Sequence, residues 1–121
     1  MEVSMAKDDF DYIAFKILAY YYAWLKNKVK FEPCVLRELV KNVDDDYFMI
    51  VLRSLVVEGY LEGLVFVHAW GNEYVLASDL IEGSITHAGV EYLNENSRMK
   101  KALSAAGQAG GLIAKLLPFV F

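Results

Sequence analysis

Two histidines, one cysteine and a run of three aspartates are the residues of this 121-residue chain whose types could do chemistry. His68 and His87 lie on different predicted elements, one near a hairpin and one at a helix start, and no cysteine or histidine falls at metal-ligand spacing from either. They read as surface or capping residues. Cys34 follows Pro33 at a predicted helix N-terminus, where a thiol can become more acidic, but the sequence pairs it with no base and it reads as a small hydrophobe. With no second cysteine, an internal disulfide and a cysteine-built zinc cage are both excluded. The stretch "GQAGG" (107–111) lacks the Gly-Lys-Ser/Thr of a phosphate loop and no predicted strand precedes it. Asp44, Asp45 and Asp46 occupy a helix start, where carboxylates cap backbone N–H groups and suit the positive end of the dipole. The expectation is a protein that is not an enzyme and uses no cofactor and no metal.

The aspartates open the stretch "DDDYFMIVLRSLVVEGY", Asp44 to Tyr60, a helix followed by a turn into a strand. A helix so placed would be the groove-reading helix of a helix-turn-helix protein, whose N-terminal part approaches base edges between phosphates. Here Asp44 to Glu58 carries four carboxylates and one cation, Arg53, a net of −3. Such a helix forfeits the counterion release that supplies most nonspecific affinity for DNA. The whole chain is acidic as well, with formal net charge −4 and a pI of about 5.1. No lysine or arginine stands between Arg53 and Arg98. The cations gather elsewhere. Lys26, Lys28, Lys30, Arg37 and Lys41 against Glu32 and Glu38 give +3 over residues 26–41, and Arg98, Lys100 and Lys101 form a second small cluster. If nucleic acid is bound, the candidate contacts are Lys26, Lys28, Lys30, Arg37, Lys41, Arg53 and Trp70. A solvated face with helix-end charge compensation explains the same lysines equally well.

These residues need positioning. Phe10, Ile13, Ala14, Ile17, Tyr21 and Leu25 recur at helical spacing, with a second stripe of Phe15, Leu18, Tyr22, Leu25 and Val29 beside it, predicting a first helix from about Lys7 to Val29. Two adjacent stripes make an apolar surface too wide for a one-sided surface helix. A short helix follows with Pro33 in its first turn and Leu36, Leu39 and Val40 facing in. In the third helix Phe48, Val51, Leu52, Leu55 and Val56 face in and Gly59 ends it. Leu61 to His68 and Glu73 to Ala77 are strand-like around the turn Ala69-Trp70-Gly71-Asn72, so a hairpin is expected with Trp70 near its tip. Thr86 is an N-cap candidate for a last helix carrying Val90, Tyr92 and Leu93 and continuing through Asn94-Glu95-Asn96-Ser97 towards Lys101, with room for a break on the way. The apolar, small-residue-rich tail from Ala102 to Phe121 is interrupted by Gln108, Lys115, Pro118 and glycines, which disfavours a membrane span.

Three helices, a hairpin and a closing helix make the winged-helix arrangement. "LRSLVVEGYLEG" looks like the end of a winged-helix third helix entering the first wing strand. "ITHAGVEYLNENSRMKKA" is similar to the closing helix of YjcQ-like proteins, small winged-helix proteins of bacteria, prophages and phages. The resemblance runs over about residues 7–103, with Thr86, Gly89, Tyr92 and Leu93 at the recurring spacing. It implies a DNA-binding-like or phage-associated protein of no established activity. The expected fold class is α+β, a winged helix over residues 1–101 with an apolar C-terminal extension over 102–121. The expected function is a non-enzymatic interaction module, phage- or prophage-associated, acting through protein contacts; the alternative is a winged-helix DNA-binding regulator. The hydrophobic share of 56% exceeds what one small core obviously absorbs. A homodimer or another protein partner is therefore expected, with Tyr20, Tyr21, Tyr22, Trp24, Leu112, Ile113, Leu116, Leu117 and Phe119 as interface candidates. The N-terminus has early acidic charge and no signal-peptide pattern, so the expected location is the cytoplasm.

Overall fold

A computed structural model describes residues 2–41, 43–69, 71 and 74–96. The chain is α+β. Helix α1 (Glu2–Leu25), α2 (Pro33–Leu39) and α3 (Asp45–Val57) are followed by strands β1 (Leu61–Glu62), β2 (Phe66–His68) and β3 (Tyr74–Leu76). A 3-10 turn (Leu80–Glu82), strand β4 (Ser84–Ile85) and helix α4 (His87–Glu95) complete the described part. Two small antiparallel sheets form. β2 pairs with β3 in the expected hairpin, with Phe66 opposite Leu76, Val67 opposite Val75 and His68 opposite Tyr74. β1 pairs with β4, Leu61 opposite Ile85. This element order is compatible with a winged helix.

The core is organised around α1, which packs on α2, α3, α4 and β4. Every residue from Ile13 to Tyr21 is buried. A helix buried on all sides must be apolar all round, which is why two stripes, rather than one, are visible in its sequence. An apolar surface this wide needs cover on both sides, and from Ile13 to Tyr21 the chain itself supplies it. Phe48, Val51, Leu52 and Leu55 of α3, Leu36 and Leu39 of α2, and Leu93 of α4 are buried in the same cluster.

Local chemistry sets where the elements stop. α1 ends at Leu25, short of the predicted Val29, because Asn27 adopts φ 60°. Its N–H then bonds Trp24 O and the next N–H bonds Ala23 O, a Schellman closure. Gly59 closes α3 in the same way at φ 84°, its N–H on Val56 O and that of Tyr60 on Leu55 O. α3 begins where expected: the Asp44 carboxylate accepts from Tyr47 N–H at 2.8 Å. α2 starts at Pro33, whose missing N–H would have had no intrahelical partner at that position.

Three further features differ from the sequence reading. The single strand expected over Leu61 to His68 is two, broken at Gly63, which has φ 88° and backs directly onto the Glu82 carbonyl. A side chain there would strike that carbonyl, so the chain turns where the residue pattern alone looks continuous. Ser84 and Ile85 form a strand that was not foreseen, because two residues carry no periodicity. The last helix ends at Glu95 with Asn96 as C-cap, before the expected Lys101. The extension over 102–121, and with it the boundary at 101, lies outside the described residues.

Thr86 joins the two ends of the domain. Its hydroxyl donates to Gly59 O at 2.6 Å and accepts from Gly89 N–H at 3.1 Å, so one side chain ties the end of α3 to the start of α4. Tyr21 makes a longer reach. Its hydroxyl donates to Leu80 O at 2.7 Å, across 59 residues of sequence. Burial holds this phenol protonated well above its ordinary 10.0. The resulting stability is fully present below pH 10 and is lost as pH rises from there towards the raised folded-state value. Tyr21→Phe should cost about 1 kcal/mol at neutral pH, from the lost hydrogen bond. The deficit should shrink above pH 10, where only the tyrosine form is penalised by ionisation. Urea melts of both proteins at pH 7 and above pH 10 check this; a deficit that is constant with pH contradicts it.

Candidate functional site

Of the sequence-predicted nucleic-acid contacts, two are committed to holding the fold. Arg37 is the cation of the α2–α3 turn. Its Nη1 donates to Val40 O at 2.9 Å and its Nη2 to Val43 O at 2.7 Å. Nε and Nη2 both reach Asp45 Oδ1, at 3.1 and 2.9 Å. The guanidinium also lies 5.0 Å from the centre of the Phe48 ring. It therefore satisfies carbonyls released at the end of α2 and clamps the first turn of α3. Arg53 sits on α3 with its guanidinium carbon 3.7 Å from the centre of the Tyr74 ring, joining the helix to β3. Phosphate contact by Arg37 requires breaking its hydrogen bonds, whereas the stack on Tyr74 fixes where Arg53 lies.

The lysines are at the surface. Lys26, Lys28 and Lys30 are exposed in the turn after α1, with Lys26 4.9 Å over the Tyr22 ring. Lys41 is exposed and 3.5 Å from Glu38. Trp70 lies outside the described residues. The histidines are far from each other in role. His68, in β2, has its ring 4.9 Å from that of Tyr74. His87 opens α4 with Nε2 3.4 Å from Glu91. Cys34 is exposed. Among the described residues no three histidine, cysteine or acidic side chains are grouped to hold a metal ion. No helix of the described residues is long and apolar enough to cross a membrane.

The predicted interface residues divide sharply. Tyr20 and Tyr21 are not surface anchors: both are fully buried in the chain's own core. Tyr20 donates to Lys30 O at 2.9 Å and accepts from Glu32 N–H at 2.9 Å, and its ring packs on Phe31. Trp24 is half-buried, 4.8 Å from Phe31, and Tyr22 is half-buried under Lys26. The reason is that consecutive aromatics on a helix point in different directions, and α1 has packed neighbours in most of them. Leu112, Ile113, Leu116, Leu117 and Phe119 lie outside the described residues.

Exposed apolar side chains occur elsewhere, on α3 and the hairpin. Ile50 and Val57 of α3 are 57% and 68% exposed. With Asp46 and Arg53 they recur at spacings of three and four, so they share one outward stripe of the helix. Its inner stripe is Phe48, Val51, Leu52 and Leu55. The hairpin continues the pattern. Its register puts Phe66, His68, Tyr74 and Leu76 on one face, the face from which Tyr74 meets Arg53. Val67 and Val75 form the cross-strand pair of the other face, and both are nearly half exposed, as is Val65. Sequence reasoning passed over these residues. The sequence reading gave these five valines and isoleucines no surface role, and the observed orientation points them to solvent.

The described chain thus falls in the class of small α+β proteins with a helical core, a projecting two-stranded hairpin and an outward third helix. The family model for YjcQ protein matches residues 15–109, and the chain belongs to that family. Comparison with curated proteins gives no match, and comparison with solved structures gives none.

The geometry separates structural cations from surface ones. Arg37→Ala should destabilise the protein by about 2 kcal/mol, because carbonyls at the end of α2 and the Asp45 carboxylate lose a charged donor. Lys41→Ala should change stability by less than about 0.5 kcal/mol, as an exposed ion pair. Thermal melts of the two variants side by side check this; equal effects contradict the structural assignment of Arg37.

Proposed function

We propose that this chain is a non-enzymatic winged-helix interaction module that acts through protein contacts, with the outward stripe of α3 and the adjoining hairpin as its contact surface. The observation that carries the reading is the exposure of Ile50 and Val57 on the helix that a helix-turn-helix reader would place in a DNA groove. A groove-reading helix needs polar side chains for base edges and cations for phosphates. This one presents two large aliphatic groups, an aspartate and an arginine stacked on a tyrosine. Aliphatic side chains left in water at the centre of a helix face gain most by being covered with another apolar surface. Phage or prophage association is part of the proposal on the family resemblance alone.

A DNA-binding regulator is the competing reading. Its support is the exposed turn of Lys26, Lys28 and Lys30. Against it stand the exposed Asp44, Asp45 and Asp46 at the start of α3 and the structural use of Arg37 and Arg53. The two readings make opposite forecasts. Duplex DNA titrated by fluorescence anisotropy at physiological salt should show no binding at micromolar protein concentrations. Partner proteins recovered with the full chain from its native host should survive nuclease treatment and be lost with Ile50→Asp combined with Val57→Asp. Both substitutions are on exposed positions, so the variant should melt within a few degrees of wild type. Tight DNA binding with a steep salt slope, or a partner set indifferent to the double substitution, contradicts the proposal.

A further inference from the structure

The α3 stripe exposes the aliphatic Ile50 and Val57 beside charged residues, and that charge discriminates among the surfaces that could cover it. Between residues 42 and 97 the chain has ten carboxylates and one cation, Arg53, a net of −9 within a total of −4. That cation is stacked on Tyr74. Asp44 and Asp46, both exposed, stand at the start of the α3 stripe, and Glu58, also exposed, stands at its end. Across such a surface, like charges cost binding energy and slow encounter, and opposite charges do the reverse. A nucleic acid or an anionic membrane is repelled. A second copy docking the same face about a two-fold axis would set Asp44, Asp46 and Glu58 against their own copies and is disfavoured too. The surface that remains combines aliphatic side chains with positive charge.

We infer that the outward face of α3 docks a cationic amphipathic segment of a partner protein. This rests on the protein-contact reading above and adds the chemistry of the partner. The partner's aliphatic residues cover Ile50 and Val57, as in helix-in-groove recognition. Its lysines or arginines lie towards Asp44, Asp46 and Glu58. Apolar contact supplies affinity, and the carboxylates at both ends of α3 supply selection and on-rate. The chain's own residues 98–121 carry four cations and no carboxylate, so they are the internal competitor that a test must separate from a foreign partner.

The test uses a fluorescein-labelled amphipathic peptide of leucine and lysine and a sister peptide with every lysine replaced by glutamate. Each is titrated with the full chain by anisotropy. The lysine peptide should bind at least about tenfold more tightly than the glutamate peptide, with the preference falling as salt is raised. Ile50→Asp with Val57→Asp should weaken it about tenfold or more. Asp44→Asn, Asp46→Asn and Glu58→Gln together should weaken it several-fold while sparing the fold, because asparagine caps a helix as well as aspartate. Glu91→Gln with Glu95→Gln, on α4, should leave affinity unchanged. Equal affinity for the two peptides overturns the cationic assignment and leaves the protein-contact reading to stand on its own partner-recovery test. Weakening by the α4 pair to the same extent as by the α3 set also overturns it, since binding would then track net charge and not this face. In a chain carrying Arg98→Glu, Lys100→Glu and Lys101→Glu, unchanged peptide affinity supports a foreign partner. A rise of about tenfold would assign the face to the chain's own C-terminal segment and overturn the inference as stated.

Discussion

Residues Ile13 to Tyr21 make a stretch of helix with no solvent-facing side, and the polar groups it carries must find partners inside the protein or destabilise it. α1 meets that constraint by extending its polar tips to the backbones of the segments around it. The Lys16 ammonium, on a side chain only 8% exposed, donates to Leu39 O at the end of α2 and lies 4.3 Å from the Tyr12 ring centre. Tyr20 bonds Lys30 and Glu32 in the loop before α2. Tyr21 bonds Leu80 in the 3-10 turn before β4. Tyr92 of α4 reaches back to Asp11 at 3.4 Å, and burial together with that carboxylate raises its pKa far above the ordinary phenol range. Each bond is modest by itself, about 1 kcal/mol net. Together they fix the end of α2, the loop before it, the 3-10 turn and the last helix relative to one post.

The α2–α3 turn shows the same economy. α2 has only seven residues, too few to be stable alone, and its last carbonyls would be orphaned in a partly buried turn. Lys16 takes one and Arg37 takes two further on, and Arg37 then holds Asp45 of the next helix. Arg37, which looks in sequence like a member of a basic patch, is thereby spent on carbonyls, as is the buried Lys16. The consequence for function is direct. Among the described residues, exposed lysines lie in the turn after α1 and at Lys41, while α3 and the hairpin keep their carboxylates and their exposed aliphatic side chains.

Much of this was legible in sequence, for identifiable reasons. The helices announced themselves because α1 and α3 have strong 3.6-residue periodicity and because Pro33, Asp44, Gly59 and Thr86 occupy cap positions that few other residues fill. The hairpin was legible from β-branched runs around a turn. The break at Gly63 was not, because its cause is the Glu82 carbonyl, 19 residues away, and no local pattern encodes a close approach between distant segments. β4 was invisible because two residues have no period. The candidate surface was misplaced for a related reason. Tyrosines and tryptophan suggested an interface on α1, and residue type alone does not tell an aromatic that anchors a partner from one that fills the core beside Phe31. Conversely, Ile50, Val57, Val67 and Val75 were assigned to no surface, and their position on the outward stripe of α3 and the outer face of the hairpin exposes them.

With Ile13 to Tyr21 of α1 enclosed, most of the large apolar side chains exposed among the described residues lie on α3 and the hairpin. If the chain covers α1 by itself, then the excess hydrophobicity in the sequence is largely consumed within one molecule, and the exposed aliphatic groups on α3 carry the meaning assigned to them. If a second copy covers α1, the assignment of surfaces reverses. Hydrogen exchange across a protein dilution series separates the two most directly. The account predicts that amides from Ile13 to Ala23 exchange only through global unfolding, with protection that does not change as the full chain is diluted. Protection of those amides that falls on dilution would place a second copy over α1 and contradict the account.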